Sequence, residues 1–316
     1  MAVEPVDVTA WIPEEIGGPV ITQVRKTSAV EGLARTENMT SLTKKVPRDG
    51  GVEFEGATPK STAIAKDQSE ADTVLLTARK FARIVEFPEE DLADTASTAN
   101  AINVKQLAWA SSYAKGFDNA CLATTGTENG TTVAFTSVYF ELTHDNTDLP
   151  DPEGDYHAND NVVVAASGGA SYSDLSTLFG IMESSDWWED GNMVVIAHPA
   201  FRAEFRGIKD ANQRPVFIEN QQRSADDPDV LWGLPIRWTQ GARTSATNTN
   251  RPTGKALLFV VNKSMLILGP RSGPEYQLAP SSSGAAFETD ETMIKFRRRA
   301  GFKLGHPRAA AVLVGR

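Results

Sequence analysis

Residues 73–94, "TVLLTARKFARIVEFPEEDLAD", predict one long strand that leads directly into a helix. Residues 73–87 place apolar side chains on both faces of the predicted strand: Leu75, Phe81 and Val85 on one face, and Val74, Leu76 and Ile84 on the other. The strand would be about 14 residues long, whereas strands in globular domains usually have 3 to 10. A strand of this length is typical of a segment that projects from a compact body or runs along its whole edge.

The chain after this strand has the pattern of a long helix. Pro88 followed by Glu89 and Glu90 indicates a helix start, since proline suits the first turn and acids suit the positive end of the helix dipole. Beyond a Ser/Thr-rich break, apolar and small residues recur every three or four positions as far as Cys121. We therefore predict a helix over about residues 97–124, and an acidic, turn-rich surface loop over residues 143–160.

Composition limits the class of protein. The chain has 316 residues, 41 acidic and 31 basic side chains and a net charge of −10. Its length suggests about two domains, at roughly 150 residues per domain. The acidic balance argues against a dedicated nucleic-acid binder, whose binding domain is usually basic. It is compatible with a protein that encloses nucleic acid without gripping it.

Targeting and redox signals favour a soluble protein of a reducing compartment. The single cysteine, Cys121, excludes a disulfide within the chain and fits the cytoplasm better than secretion. The first ten residues lack the basic and apolar regions of a signal peptide. No apolar run approaches the roughly 18 residues that would predict a membrane span.

The residues that could carry chemistry form no catalytic pattern. His198 and His306 each precede a proline, which favours a role in turns. His144 and His157 flank an aspartate-rich stretch, which is either a solvated loop or a weak site for adventitious divalent cations; the spacing matches neither a calcium loop nor a zinc site. Cys121 lies on the apolar stripe of the long helix, where a cysteine is usually a small core residue. We therefore predict no catalytic, cofactor-binding or metal-binding residues and a structural role.

Four further segments, taken in order, resemble one known family. They are the proline- and glycine-bearing arm "WIPEEIGGPVITQVRKTSAVEGLA" (11–34), "FEGATPKS" (54–61) with the strand–helix stretch above, "HPAFRAEFRGIKDANQRPVF" (198–217) followed by "LWGLPIRW" (231–238), and "ETMIKFRRRAGFKLGHPRAAAVL" (291–313). Their order and spacing over residues 11–314 are similar to those of the major capsid proteins of tailed bacteriophages, which have the Hong Kong 97 capsid fold.

The resemblance implies an α+β, Hong Kong 97-like fold with an N-terminal arm, an extended β-hairpin loop, a peripheral domain with a long spine helix and a long sheet, and an axial domain. The implied boundaries are an arm (1–42), an extended loop (43–80), a peripheral domain (81–165) with the spine helix at about 97–124 and a loop insertion at 127–165, an axial domain (166–286), a closing peripheral strand (287–303) and a return to the axial domain (304–316).

The resemblance also implies a function and partners. Copies of the chain would form hexamers and pentamers of an icosahedral shell that encloses double-stranded DNA without sequence-specific binding, in the virion capsid, after assembly in the host bacterial cytoplasm. Because the arm begins close to Met1, a separate scaffolding protein is expected, together with a portal and room for a decoration protein, but no membrane. The alternatives are an encapsulin, a compartment shell of the same fold that encloses enzymes, and a soluble α+β hydrolase that uses a histidine.

Intersubunit contacts are expected from the arm, the extended loop and the long sheet. The candidate residues are Trp11, Ile12, Phe54, Lys60, Lys66, Arg79, Lys295, Arg297 and Arg299. By position, Lys60 or Lys66 could form the lysine–asparagine crosslink found in some relatives, although lysines on an exposed loop are usually only solvated. In the predicted strand, Arg297 and Arg299 share a face and Arg298 lies on the other. We expect the first two to contact acidic groups of this subunit or of adjacent ones.

Overall fold

The computed structural model describes residues 26–52, 56–64, 66, 71–90, 98–150, 154–166, 169–208, 229–282 and 286–315. Its helices are α1 (Ala29–Leu33), α2 (Thr98–Leu122), α3 (Val138–Thr143), α4 (Tyr172–Glu183), α5 (Phe201–Gly207) and α6 (Ala286–Thr289). Its strands are β1 (Arg35–Thr36), β2 (Thr43–Asp49), β3 (Ala71–Thr77), β4 (Arg79–Pro88), β5 (Val162–Val164), β6 (Met193–Ala197), β7 (Asp229–Leu231), β8 (Leu234–Trp238), β9 (Leu257–Asn262), β10 (Leu266–Ala279), β11 (Glu291–Leu304) and β12 (Ala310–Val314).

Within the described residues, the strands form three sheets. A four-stranded sheet has the order β1-β10-β11-β4, a six-stranded sheet has the order β5-β12-β9-β6-β8-β7, and β2 pairs with β3 alone. Two of the passages of the chain between the two larger sheets, from β9 to β10 and from β11 to β12, run through short 3-10 turns at Lys263–Met265 and Pro307–Ala309. These turns join the two sheets into one framework.

The long helix α2 packs on the four-stranded sheet through aromatic side chains. Trp109 stacks on Phe296 of β11 with ring centroids 5.4 Å apart, and Phe117 lies edge-on to Phe81 of β4 at 5.7 Å. Burial of aromatic rings is a large stabilising contribution. The helix spans Thr98–Leu122, which differs from the predicted 97–124 by one and two residues at its ends.

The six-stranded sheet is covered on both faces, which explains the continuous apolar runs in its strands. Successive residues of β9 alternate between two cores: Leu257 and Phe259 face the core shared with α2 and α3, whereas Leu258 and Val260 face the core covered by α4. A strand that is buried on both faces has no polar side, so its sequence lacks the two-residue alternation of polar and apolar residues.

The long strand predicted over residues 73–87 is wrong as a single element. It is divided at Ala78 into β3, which pairs with β2, and β4, which pairs with β11. The buried face changes at the division: Val74 and Leu76 are buried in β3, whereas Phe81 and Val85 are the more buried positions of β4. The apolar residues on both faces therefore come from two strands that bury opposite faces in different sheets.

The segment at 127–165, predicted as a loop insertion, contributes to the core. It contains α3, which begins at the N-cap Ser137, whose hydroxyl accepts a hydrogen bond from the Phe140 N–H. Phe135 and Tyr156 are 1% and 0% exposed, and the Tyr156 hydroxyl donates to the Leu142 carbonyl at 3.0 Å. The many polar and turn-forming residues of this segment predicted a loop, because its buried apolar residues are too far apart in the sequence to show a helix or strand period. The acidic segment 143–160 is a mostly exposed surface loop in its described residues, as predicted, but Leu149, Pro150 and Tyr156 are buried anchors within it. The division of the chain into named domains stays a prediction.

Candidate intersubunit surfaces

The two-stranded hairpin β2–β3 has a small core of its own at its base. The strands pair antiparallel from Thr43 opposite Thr77 to Asp49 opposite Ala71. Val46, Val74 and Leu76 are buried there with Met39 and Ile267. This packing fixes the base of the hairpin against β10 of the four-stranded sheet.

Arg48 anchors the hairpin to the turn between β11 and β12. Its Nε donates to Asp72 Oδ1 at 2.7 Å, and its Nη1 donates to the Gly305 carbonyl at 2.9 Å. The Arg48 side chain is 14% exposed, so these charge-assisted hydrogen bonds are largely shielded from solvent. The hairpin is thus attached to the four-stranded sheet and to the turn that leads from it to β12.

The described part of the segment between β2 and β3 is exposed and partly apolar. Val52 and Ile64 are 75% and 81% exposed, and Lys60 and Lys66 are exposed as well. Large apolar side chains left in solvent at a projecting end are typical of a surface that another molecule covers. Phe54, Trp11 and Ile12, which were predicted as contacts, lie outside the described residues.

The outward face of the four-stranded sheet carries the basic residues predicted for β11. Arg297 lies opposite Glu275 of β10, and its Nε donates to Glu275 Oε2 at 3.0 Å. Hydrogen bonding from Arg297 is the main cause that lowers the pKa of Glu275. Lys295 lies opposite Ile84 and Arg299 opposite Lys80. Among the described residues, only Arg297 of these three basic side chains has a carboxylate partner.

Arg298 points the other way and joins three elements. Its Nη2 lies 2.8 Å from Glu31 Oε1, and its guanidinium lies 5.3 Å from the ring centroid of Tyr113. The Tyr113 hydroxyl donates to the same Glu31 oxygen at 3.1 Å. Burial raises the pKa of Glu31, and the charge of Arg298 opposes that rise. The cluster connects α1, α2 and β11.

Asp118 of α2 binds residues 28–30 at the start of α1, which we call the root of the arm. The side chain is 1% exposed and accepts hydrogen bonds from Ser28 Oγ at 2.5 Å, Ala29 N at 3.0 Å and Thr239 Oγ1 at 2.5 Å. Burial is the main cause that raises the pKa of this carboxyl, and the four hydrogen bonds, including one from Val30 N, act against it. A buried acid with this many donors ties α1 to α2 and to the end of β8.

Arg79 is engaged within its own chain. Its Nη2 donates to Glu128 Oε1 at 2.6 Å, and a Cβ on Gly130 would lie 2.5 Å from Arg79 Nη1. Gly130 has φ +71, so a larger residue there would be strained as well as crowded. This close packing gives Arg79 a structural role, and its predicted contact with another subunit stays a prediction.

The prediction from sequence missed Arg298, Glu31, Tyr113 and Asp118 as members of these clusters. One signal was available: Ser28 and Glu31 have the spacing of a helix-start motif, and Ser28 Oγ accepts from the Glu31 N–H at 3.1 Å. No local pattern could pair Glu31 with Arg298, because 267 residues separate them.

Two of the four histidines, and the cysteine, occupy structural positions. The Nδ1 atoms of His198 and His306 accept hydrogen bonds from the N–H groups of Ala200 and Arg308, two residues ahead, as predicted for turns. Burial is the main cause that lowers their pKa values to about 4 and about 3. Cys121 is fully buried, and burial raises the pKa of its thiol.

Two further features bear on possible functions. Within the described ranges, no three His, Cys, Asp or Glu side chains are grouped so that they could hold a metal ion. No helix of the described residues has the length and apolar character needed to cross a membrane.

Comparison with known proteins gives a consistent match. The family model described as "Phage capsid family" matches residues 9–315. The structure is similar to a protein of Mycobacterium phage Ogopogo (14% identity, 98% of this chain and 99% of that chain, TM-score 0.72) and to one of Microbacterium phage Oxtober96 (16% identity, 96% of each chain, TM-score 0.68). It is also similar to a chain described as "Capsid of empty GTA particle computed with C5 symmetry" (12% identity, 97% and 96% covered, TM-score 0.70). No curated protein sequence matches the chain.

Proposed function

This chain belongs to the phage capsid family, and we propose that its copies assemble as hexamers and pentamers into an icosahedral shell around the double-stranded DNA of a tailed phage. As a member it is a structural capsid protein, not an enzyme, and its place is the virion capsid. The Hong Kong 97-like α+β fold agrees with the mixed helices and sheets and with its structural neighbours. The hydrolase alternative has no support from this family.

The hairpin β2–β3 is the observation that carries the proposal. Its base is fixed by buried Val46 and Leu76 and by the bonds of Arg48, while Val52 and Ile64 near its far end remain exposed. A rigid base with exposed apolar side chains at the end suits a segment that lies on a neighbouring subunit. Lys60 and Lys66 lie in the same segment, so contacts from them are part of the proposal.

The particle and its partners are also part of the proposal. One structural neighbour is described as a capsid computed with C5 symmetry, and we propose a fivefold arrangement of this chain at the vertices. The net charge of −10 would limit tight contact with DNA phosphates, so the shell would enclose its genome without sequence-specific binding. Assembly in the host cytoplasm with a separate scaffolding protein and a portal completes the proposal, which leaves room for a decoration protein.

The test is to express the chain, with its scaffold where one is needed, and to examine it by sedimentation and negative-stain microscopy. Icosahedral particles are expected, and small dispersed oligomers under all assembly conditions would overturn the proposal. Nucleic acid inside particles from infected cells separates a phage capsid from an encapsulin. Denaturing electrophoresis tests the lysines: a ladder of multiples indicates crosslinks through Lys60 or Lys66, and one band near 34.1 kDa excludes them.

The variant Arg297→Glu tests the outward face of the long sheet. We expect fewer particles, because the change puts two carboxylates opposite each other and removes a positive charge that we propose also contacts acidic groups of an adjacent subunit. The swapped variant Glu275→Arg with Arg297→Glu is the control, since it restores the pair within the chain but not a contact between chains. Normal assembly of Arg297→Glu would exclude this role, and full recovery by the swap would confine Arg297 to the pair within its chain.

A further inference from the structure

A basic cavity lies beside the root of the arm, in a chain that is acidic as a whole. Its volume is about 610 Å³, and its lining includes the four cationic residues Lys26, Lys115, Arg243 and Arg251 together with His198. Among the described residues, those that line it include no aspartate or glutamate. The cavity therefore concentrates positive charge in a protein of net charge −10.

This positive charge is not neutralised by the part of the chain that the structure describes. None of the four cations forms an ion pair there, and Arg243 Nε is buried without a hydrogen-bond partner. The carboxyl of Asp118, three residues after Lys115 on α2, already accepts from Ser28, Thr239 and two backbone N–H groups. Burial, and then the charge of Arg243, lowers the pKa of His198 to about 4, so His198 adds no charge at neutral pH. A bound anion would relieve the repulsion among the cations.

The sequence supplies an acidic segment of matching charge. Residues 1–24 contain Glu4, Asp7, Glu14 and Glu15 and neither lysine nor arginine. Lys26, two residues after this acidic segment in the sequence, lines the cavity. The 11 residue steps from Glu15 to Lys26 can extend over about 36–40 Å, so the acids are not confined to the cavity of their own chain.

We propose that the cavity binds the Glu14–Glu15 segment of the arm of a second copy. The inference rests on the proposed function, because it requires copies that pack side by side. Two copies of net charge −10 repel each other at long range, and an acidic segment placed in a basic cavity turns the local interaction into attraction. Trp11 and Ile12, which precede the acids, would add apolar contact at the cavity rim. The cavity thus gives the arm a defined receptor and the shell a directional contact.

A charge swap tests the pairing. Glu14→Lys with Glu15→Lys, and separately Lys115→Glu with Arg251→Glu, should each lower the particle yield by about tenfold or more. The chain with all four changes should return to within about twofold of the parent yield, since the opposite charges again face each other. Thermal unfolding of the unassembled subunits shows whether each variant folds. A fourfold variant that folds but assembles no better than either double variant would overturn the proposal.

Crosslinking within particles shows which copy supplies the segment. Glu15→Cys with Arg251→Cys should give disulfide-linked multimers on a non-reducing gel, and Glu15→Cys with Arg237→Cys, at the exposed position of β8, should not. Native Cys121 is buried and does not compete. A disulfide confined to single chains, or the absence of any disulfide, overturns the proposal.

The nucleic acid content of the particles gives a second test. If Lys115→Glu/Arg251→Glu particles assemble normally but lose packaged nucleic acid, the proposal is overturned, because the cavity then binds phosphate groups. If the parent chain forms no particles, both the proposed function and this inference fail. If the parent chain forms particles but the introduced cysteines stay unlinked, only this inference fails.

Discussion

At the scale of single residues, the three consecutive arginines show how strand geometry assigns roles. Arg297 and Arg299 lie on the outward face of β11, and Arg298 lies on the inward face against Glu31 and Tyr113. The alternation of faces predicted from sequence is correct. It does not show which arginine contributes most to stability, because that depends on the carboxylate that each one contacts. Among the described residues, Arg297 and Arg298 form ion pairs, and the inward pair of Arg298 is the more buried, with side chains 19% and 20% exposed against 29% and 38% for Arg297 and Glu275.

Arg298→Met should lower the free energy of unfolding of the subunit by about 1–3 kcal/mol, because it leaves the Glu31 carboxylate half-buried without its cation. Denaturant unfolding of the unassembled protein measures the loss. Arg299→Met is the matched control and should change stability by less than about 0.5 kcal/mol. The double variant Arg298→Met with Glu31→Gln should recover part of the loss, since no charge is then left unpaired; a double variant as unstable as Arg298→Met would contradict this account.

At the scale of elements, the division at Ala78 determines how the hairpin is presented. Strand β3 belongs to the hairpin and β4 to the four-stranded sheet, so a single run of chain connects a projecting segment to the body. A hairpin of two strands is at most marginally stable alone in water. Its order therefore depends on the buried residues at its base and on Arg48.

Arg48→Met should loosen this hairpin with little effect on the rest of the subunit. It removes the bonds to Asp72 and Gly305, and charge-assisted hydrogen bonds of this kind contribute about 1.5–3 kcal/mol. Amide hydrogen exchange across Thr43–Asp49 and Ala71–Thr77 should become about tenfold faster or more, while β9 stays protected. Lys45→Met, an exposed change on the same strand, is the control. Unchanged exchange in the hairpin of Arg48→Met would show that the apolar base alone holds it.

At the scale of the whole molecule, buried titratable groups make opposing contributions to acid stability. His198 and His306 have lowered pKa values in the folded state, so their contribution is fully present above their unfolded pKa, about 6.5, and is lost as the pH falls towards 4 and 3. Burial raises the pKa values of Asp118 and Glu31, so their protonation favours the folded state as the pH falls. The change in the free energy of unfolding with falling pH is therefore the gain from the two carboxyls minus the loss from the two histidines.

The variant His306→Asn isolates the contribution of one histidine to the pH dependence of stability. Asparagine keeps an acceptor for the Arg308 N–H but does not titrate. Below pH 6.5 the stability of the parent should fall more steeply than that of the variant, by up to about 1.4 kcal/mol per pH unit. Denaturant unfolding at pH 7.5, 6 and 5 checks this slope, and any loss of packing by the variant appears as an equal offset at all three pH values. Parallel stability curves would mean that His306 takes up no proton on unfolding in this range.

The sequence by itself determined the patterns that depend on near neighbours in the chain. These are the long helix α2, the alternation of β11, the turn roles of His198 and His306, and the order of motifs that identifies the family. Each rests on helical or strand periodicity or on a side chain bonded within a few residues, and such signals are present in local sequence.

Only the tertiary structure decided which distant elements meet. The partition of residues 73–87 between two sheets, the burial of Tyr156 within an acidic stretch, and the pairing of Glu31 with Arg298 all depend on contacts between residues remote in sequence. The basic cavity likewise collects Lys26, Lys115 and Arg251 from three separate segments. Burial and electrostatic pairing act through space, so a period or a spacing along the chain cannot specify them until the fold brings those segments together.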